Sequence, residues 1–265
     1  MGLRMIVCAK QVLDPETPSS VFRIDREAKR AVPPPGADPV VNGFDEIAVE
    51  AALRIKASAG GGTITVVSMG RSFAMDVIKK PLAMGADELI LLQDDAFDTV
   101  DSFIATNVLA AAVRKIGQFD IILCGRQASD WDNAQVPLGL AELLDLPCLP
   151  FAKTLELKNG SVRIQRVTPD GEETLEAPLP AVVTVSNEFG EPRAPNIKGI
   201  MAATRAKPTV WGLADLNVDL TTLARTDLVD LFIPARETRC EIIQGEDDTE
   251  VGRKLALKLR EAKLI

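Results

Sequence analysis

The run Gly125-Arg126-Gln127-Ala128-Ser129-Asp130-Trp131-Asp132-Asn133-Ala134-Gln135-Val136-Pro137 lies between the apolar stretch FDIILC and the apolar-periodic LGLAELLDL. A buried strand that empties into amides and carboxylates before a helix begins gathers unpaired N–H groups and the positive end of a helix dipole in one place, which suits an anion such as phosphate. Gly125 lets the chain turn off the strand, and Asn133 or a neighbour caps a helix starting near Ala134. The open amides then fall around Ala134, Gln135, Val136 and Pro137, where a proline is tolerated. Asp130 and Asp132 repel phosphate, so their fitting roles are capping and contact with ribose hydroxyls. An ordinary capped helix following a strand accounts for the same residues. No GxGxxG and no GxxxxGK[ST] occurs, so neither a dinucleotide fingerprint nor a Walker loop applies.

The chain contains no histidine and no tyrosine. That removes the commonest general base, the commonest transition-metal ligand and a phenolic acid, and with them Ser-His-Asp, Cys-His and His-metal chemistry. Belief moves from catalyst toward binder or carrier. Cys8, Cys124, Cys148 and Cys240 form no CxxC, so no metal or disulfide framework is expected and each reads as a small buried hydrophobe. A net charge of −8 argues against nucleic acid and anionic membranes as partners. The N-terminal apolar segment is too short for a signal peptide and no run approaches about 18 apolar residues, so a cytoplasmic protein without membrane insertion is expected.

The elements that must position these residues read as βαβ units up to about residue 147. Strands are predicted at Met5–Ala9, Thr63–Ser68, Leu89–Leu92 and Phe119–Cys124, with helices at Asp45–Ala57, Phe73–Met84 and Thr99–Ile116. In the first helix Ile47, Ala48, Ala51, Ala52 and Ile55 share one face, and Glu46, Glu50, Arg54 and Lys56 fall away from it. The segment VFRIDREAKRAVPPPG reads as a hairpin outside the sheet. Beyond Pro147, alternating runs around Asn159-Gly160 read as antiparallel edge structure, which includes the stretch ending PAVVTVS. The fold class is therefore α/β: a mostly parallel, doubly wound, Rossmann-like sheet with an antiparallel hairpin extension and a C-terminal arm and helix. Residues 187–208 show no convincing period and read as an exposed loop carrying the basic residues Arg193, Lys198, Arg205 and Lys207 and one isolated apolar residue, Ile197. The tail EDDTEVGRKLALKLREAKLI has the charge order of a helix and packs on something else. Two units follow: 1–230, a nucleotide-binding domain with the loop, and 231–265, the arm and helix.

In such a sheet, ligands collect at the carboxyl edge where the strand order reverses. Cys8-Ala9-Lys10, Ser68-Met69-Gly70, Asn42-Gly43-Phe44-Asp45 and the run from Gly125 all reach that edge. Taken alone, Asn42 and Asp45 are ordinary caps and Phe44 a hydrophobic staple.

Those pieces, with VNGFDEIAVEAALRIK, LAMGAD, LCGRQASDWDNAQV, LPAVVTVSNE and EPRAPNIKGIMAA in order along nearly the whole chain, resemble the β subunit of an electron transfer flavoprotein. The resemblance implies a heterodimer with a larger α subunit that holds FAD. It implies an adenine nucleotide in the β chain, AMP or, in bifurcating members, a second FAD, at Cys8, Ala9, Asn42 to Asp45, Met69 and Asp130 to Ala141. Phe44 then lies near the α-held flavin, and the 192–207 region grips flavin-dependent dehydrogenases through Ile197, with Arg193 and Lys198 beside it. Electrons pass on to an acceptor such as a quinone oxidoreductase, and no catalytic residue or metal is expected in this chain. Trp131 departs from the family pattern and favours AMP, whereas Ala134-Gln135-Val136 and Asp98-Thr99 lean to the bifurcating pattern. Val167 replaces a carboxylate common after the arginine at Arg166. A universal-stress-like ATP-binding module and an adenylyl-transfer enzyme on a related fold are the alternatives.

Overall fold

A computed structural model describes residues 2–18, 20–98, 100–234 and 240–265. The chain begins with β1 (Leu3–Cys8), β2 (Gln11–Val12), the hairpin β3 (Arg23–Asp25) and β4 (Arg30–Val32), then β5 (Val40–Val41) and α1 (Gly43–Ser58). It continues through β6 (Gly62–Gly70), α2 (Met75–Ile78), α3 (Lys80–Met84), β7 (Glu88–Gln93), α4 (Ser102–Ile116), β8 (Ile121–Gly125) and α5 (Val136–Leu144). The second half holds β9 (Cys148–Lys158), β10 (Ser161–Thr168), β11 (Gly171–Pro178), β12 (Ala181–Val185), α6 (Ile197–Arg205), β13 (Thr209–Trp211), α7 (Leu220–Leu223) and α8 (Asp248–Glu261).

Nine strands form one sheet in the order β11-β10-β9-β12-β8-β1-β6-β7-β13. Its middle is parallel, from β9 through to β13, and β9, β10 and β11 form an antiparallel extension on one side. Alternate residues of the strands feed two cores. Met5, Val7, Ile64, Val66, Ile121 and Leu123 pack under α1 and α3, while Ile6, Val67, Ile122 and Cys124 pack under α4 and α5. The expected α/β doubly wound class is what the chain adopts.

Five expectations are corrected. The helix foreseen over Phe73–Met84 is two short helices, α2 and α3, because Pro81 stands in the first turn of the second and removes an N–H that a continuous helix needs. The stretch PAVVTVS is not antiparallel edge structure. β12 lies between β8 and β9, parallel to both, and all five of its residues are buried, as an unbroken apolar run in a parallel sheet demands. The expected loop at 187–208 contains a 3-10 turn at Asn187–Phe189 and the helix α6, whose Asn196 caps the N–H of Gly199 at 2.8 Å. And Glu50, assigned to the polar side of α1, is 4% exposed. Cys240 is exposed, unlike the buried thiol foreseen. The hairpin at 21–36 forms as β3 and β4, and Asn159 and Gly160 take the positive φ values, 53° and 78°, that join β9 to β10. Thr99 lies outside the described residues.

Candidate nucleotide-binding rim and docking face

The chain runs β1, β6, β7 in one direction across the sheet and then returns through α4 to place β8 on the other side of β1. The order therefore reverses between β1 and β8, whose residues Cys8 and Cys124 are register partners at the carboxyl edge. The candidate nucleotide residues lie at the carboxyl ends of β1, β6 and β8, at the start of α1 and along the loop leading into α5.

The N-terminal end of α1 fastens the two sides. Asn42 is fully buried, yet its side chain caps nothing in its own helix. Its Nδ2 donates to the Gln127 carbonyl at 2.8 Å and its Oδ1 accepts from the Ser129 N–H at 3.2 Å, while its own N–H donates to the Lys10 carbonyl at 2.8 Å. Asp45, 7% exposed, accepts from the Lys10 N–H at 2.8 Å and from the Gly125 N–H at 3.1 Å. The loops after β1 and β8 are thus tied to one helix by buried polar side chains, each with its hydrogen bonds made. Burial pushes the Asp45 carboxyl up to about 7, against the backbone N–H of Lys10, the Asn42 side chain and the Gly125 N–H, all of which favour its ionised form.

Gly125 is needed for closeness rather than for an unusual φ. A Cβ there would lie 2.5 Å from an Asp45 oxygen and 2.7 Å from Phe44 backbone and side-chain carbons. Phe44 is half-buried against this point. Above it the loop carries Asp130, paired with the Lys10 ammonium at 2.6 Å, and Asp132, which accepts from Gln127 Nε2 at 2.7 Å. Asp132 and Ala134 both have left-handed backbones, with φ of 52° and 53°. For alanine this costs roughly 1–2 kcal/mol, strain of the kind that accumulates at ligand sites.

The expected cap at Asn133 does not form. Helix α5 begins at Val136 after Gln135, with no side-chain cap, and Gln135 Oε1 accepts instead from the Ser102 hydroxyl at the start of α4. The first-turn amides of α5 are left without a side-chain partner, which is what an anion site at a helix start requires. Ser129 Oγ, buried and unpartnered, is a further polar atom in this loop. Trp131 is 54% exposed. Beneath the rim, Ala9 is 5% exposed, and Cys8 and Met69 are partly buried beside the second core. The Cys8 thiol and burial raise the Cys124 thiol well above its ordinary value, and burial pushes Cys148 up to about 11. These stay neutral packing groups.

The docking candidates separate. Ile197 is 78% exposed, and with Ile200 and Met201 it makes one apolar face of α6; Lys198 stands exposed next to it. Arg193 is committed elsewhere. Its Nε and Nη2 donate to the buried Glu50 carboxylate at 2.7 and 3.1 Å, and its N–H does so at 3.2 Å. Arg54 completes the cluster, donating to Glu50 at 2.8 Å and to the Phe189 carbonyl at 3.2 Å. At the far end, Gly199 lets α6 sit on α3, since a Cβ would fall 2.2 Å from the Ala83 carbonyl oxygen. Sequence reasoning missed the Glu50 cluster. Its signal was an acid and an arginine four apart on α1, a spacing common on solvated faces as well. Val167 follows Arg166, whose guanidinium pairs within this chain with Glu173 at 2.7 Å.

The family described as electron transfer flavoprotein domain matches residues 36–216. A subunit of the caffeyl-CoA reductase-Etf complex of Acetobacterium woodii, CarD, is 33% identical over 99% of this chain and 100% of its own length. The electron transfer flavoprotein subunit beta of Thermoanaerobacterium thermosaccharolyticum is 36% identical over 92% of this chain and 93% of its own. That of Mycobacterium leprae is 37% identical over 82% and 81%. Among the described residues no helix is long and apolar enough to cross a membrane. With the matched region running from the approach to α1 through the rim and α6 to beyond β13, the chain belongs to the electron transfer flavoprotein family, among its β subunits.

Proposed function

We propose that this chain is the electron-carrying β subunit of a heterodimer, that it binds AMP in the rim between β1 and β8, and that it meets flavin-dependent dehydrogenases through α6. The observation that carries the reading is the pairing of a buried Asn42–Asp45 clasp with an uncapped first turn of α5 at the sheet's reversal point. The phosphate belongs at the N–H groups of Ala134, Gln135 and Val136, since Pro137 has none to donate, and Asp130 or Asp132 faces the ribose. Cys8, Ala9 and Met69 line the floor, with Gly43 and Phe44 at the wall. FAD, held by the α subunit near Phe44, supplies reversible storage of electrons. This chain's own residues hold distance, orientation and charge, a task that needs no histidine.

Ile197 with Ile200 and Met201 suits a partner pocket, and Lys198 lies at its border; a compact apolar anchor with weak surroundings fits a carrier that binds and leaves quickly. The region 231–265, which ends in a helix α8 without buried residues, is assigned to the α subunit's surface. A cytoplasmic setting and a quinone-linked acceptor complete the proposal.

A second reading, in which the rim holds a second FAD, is favoured by the likeness to the caffeyl-CoA reductase-Etf complex subunit. Co-expression with the α subunit followed by denaturation and counting of released nucleotides separates the two. One flavin and one AMP per heterodimer is expected; two flavins selects the second reading, and a flavin-free monomer that hydrolyses ATP overturns both.

A further inference from the structure

Arg126, the residue directly after β8, leaves the nucleotide crevice and lines a separate cavity of about 390 Å³ with Phe151, Arg166, Val167, Thr168, Pro169, Ser186 and Glu188. Its guanidinium lies over two aromatic rings, 5.7 Å from the centroid of Phe44 and 5.4 Å from that of Phe151. Its Nε is buried and has no hydrogen-bond partner. A buried donor left unpaired costs roughly 1–3 kcal/mol, and Arg126 has no ion pair among the described residues that offsets it. Phe151 is held in a left-handed backbone, φ 65°, where β9 slips register against its neighbours, and its N–H is fixed by the Thr184 hydroxyl at 2.8 Å. A bulky residue in that conformation is strained, and the surrounding sheet imposes it.

The other charges around the cavity are accounted for. Arg166 is paired with Glu173, and Lys153 with Glu172. Glu188 is held below the usual carboxylate range by the Ser186 hydroxyl first, then by its own N–H, with Arg126 and Lys153 contributing less. Asp45 is not among the residues lining the cavity and accepts from the N–H of Gly125, the residue before Arg126. Two rings lie within cation–π distance of the guanidinium, and its buried Nε is left as an unpaired edge donor in an aromatic-lined space. That edge matches a flat ring system bearing acceptor atoms and able to take on negative charge.

Resting on the β-subunit reading above, we propose that this cavity receives the acceptor-bearing edge of the flavin ring held by the α subunit, and that Arg126 favours that ring's reduction. When an electron arrives from a dehydrogenase's reduced flavin, the donor is oxidised by one electron and this ring gains one negative charge unless a proton follows. A permanently cationic side chain beside it lowers the energy of the charged state, and the charge departs when the electron passes to the acceptor.

The test is potentiometry on the flavin-loaded heterodimer with Arg126→Gln and Arg126→Lys. Arg126→Gln is expected to lower the reduced-to-oxidised ratio about tenfold at a given poise, about 59 mV more negative for one electron, with flavin content unchanged. Arg126→Lys is expected to recover most of the shift. A ratio within twofold of the parent for Arg126→Gln, or equal shifts for Gln and Lys, overturns the proposal. Should Arg126→Gln fail to assemble, the parent heterodimer decides. Its first-electron potential is expected to be independent of pH between 8 and about 9.5, above the Asp45 titration, and a shift of about 59 mV per pH unit there sinks the idea. A parent heterodimer without flavin fails the β-subunit reading itself, before any potential is measured.

Discussion

Asp45 and Glu50 lie little more than one turn apart on α1, both nearly closed to solvent, and each fastens a different segment of the chain to the body. Asp45 holds the rim loops through backbone N–H groups and no arginine, so desolvation dominates and its carboxyl rises to about 7. For Glu50 burial also acts upward, but Arg193 and Arg54 outweigh it and the carboxyl falls below its ordinary value. The same chemical group in the same helix is thus made proton-retentive in one place and firmly ionised in the other. The difference lies in the donors. Fixed amides hold the two loops without adding a charge, whereas the two half-exposed arginines make a strong but solvent-reachable tether.

The comparison breaks hardest at Gly125. Gly125→Ala puts a methyl into Asp45 and Phe44, and a loss of about 3 kcal/mol in urea unfolding is expected, together with loss of bound nucleotide. A folded, nucleotide-loaded Ala variant with parent stability contradicts the clasp. Next, Glu50→Ala should cost about 2 kcal/mol, less than a wholly buried pair because both arginines are half-exposed and regain water. Arg193→Ala should cost about half as much. Both should raise hydrogen exchange in α6 while leaving residues 126–129 protected; faster exchange at 126–129 would show that the two clasps are one unit.

The pH response sharpens the contrast, because the two acids have opposite signs. Asp45 has a folded pKa above its unfolded value near 3.8, so its ionisation destabilises the fold. Its contribution improves as pH falls from above 7 toward 4, with a slope no steeper than about 1.4 kcal/mol per pH unit. Glu50, lowered from 4.5, stabilises above that value, and the stabilisation is lost as pH falls through its lower folded pKa. Unfolding measured from pH 4 to 8 should lose the first trend in Asp45→Asn and keep it in Glu50→Gln. The smallest effect on stability is Ile197→Ala, within about 0.5 kcal/mol since the side chain is 78% exposed. Its association with a partner dehydrogenase, followed by surface-bound kinetics, should nevertheless weaken at least tenfold, chiefly through faster release.

Much of this was legible in the residues. The alternation of apolar runs with amphipathic stretches located β1, β6, β7 and β8 to within two or three residues at each end, and the reversal point followed from their order. The partners of Asn42 and Glu50 were not legible, since cap residues and i, i+4 acid–arginine pairs look alike whether they face water or a distant loop. β12 was misplaced although AVVTV lacks any alternation, the mark of a strand covered on both faces. The helix α6 was hidden because its apolar positions face outward and its start is crowded by Pro192 and Pro195, so no core-facing period betrayed it. Asn133 was a plausible cap, but the left-handed turns at Asp132 and Ala134 carry the chain past it.

One edge of the sheet bears on how the chain survives before assembly. β11 is the outermost strand on its side, and an open row of backbone donors and acceptors invites a second copy to pair with it. Glu172, Glu173 and Glu176 stand exposed along it, and Pro178 closes it without an N–H to offer. At the other end the sheet finishes in a strand of only three residues, β13. A newly made chain therefore presents charged side chains or almost no edge to its own copies, which keeps it from joining them edge to edge as fibres.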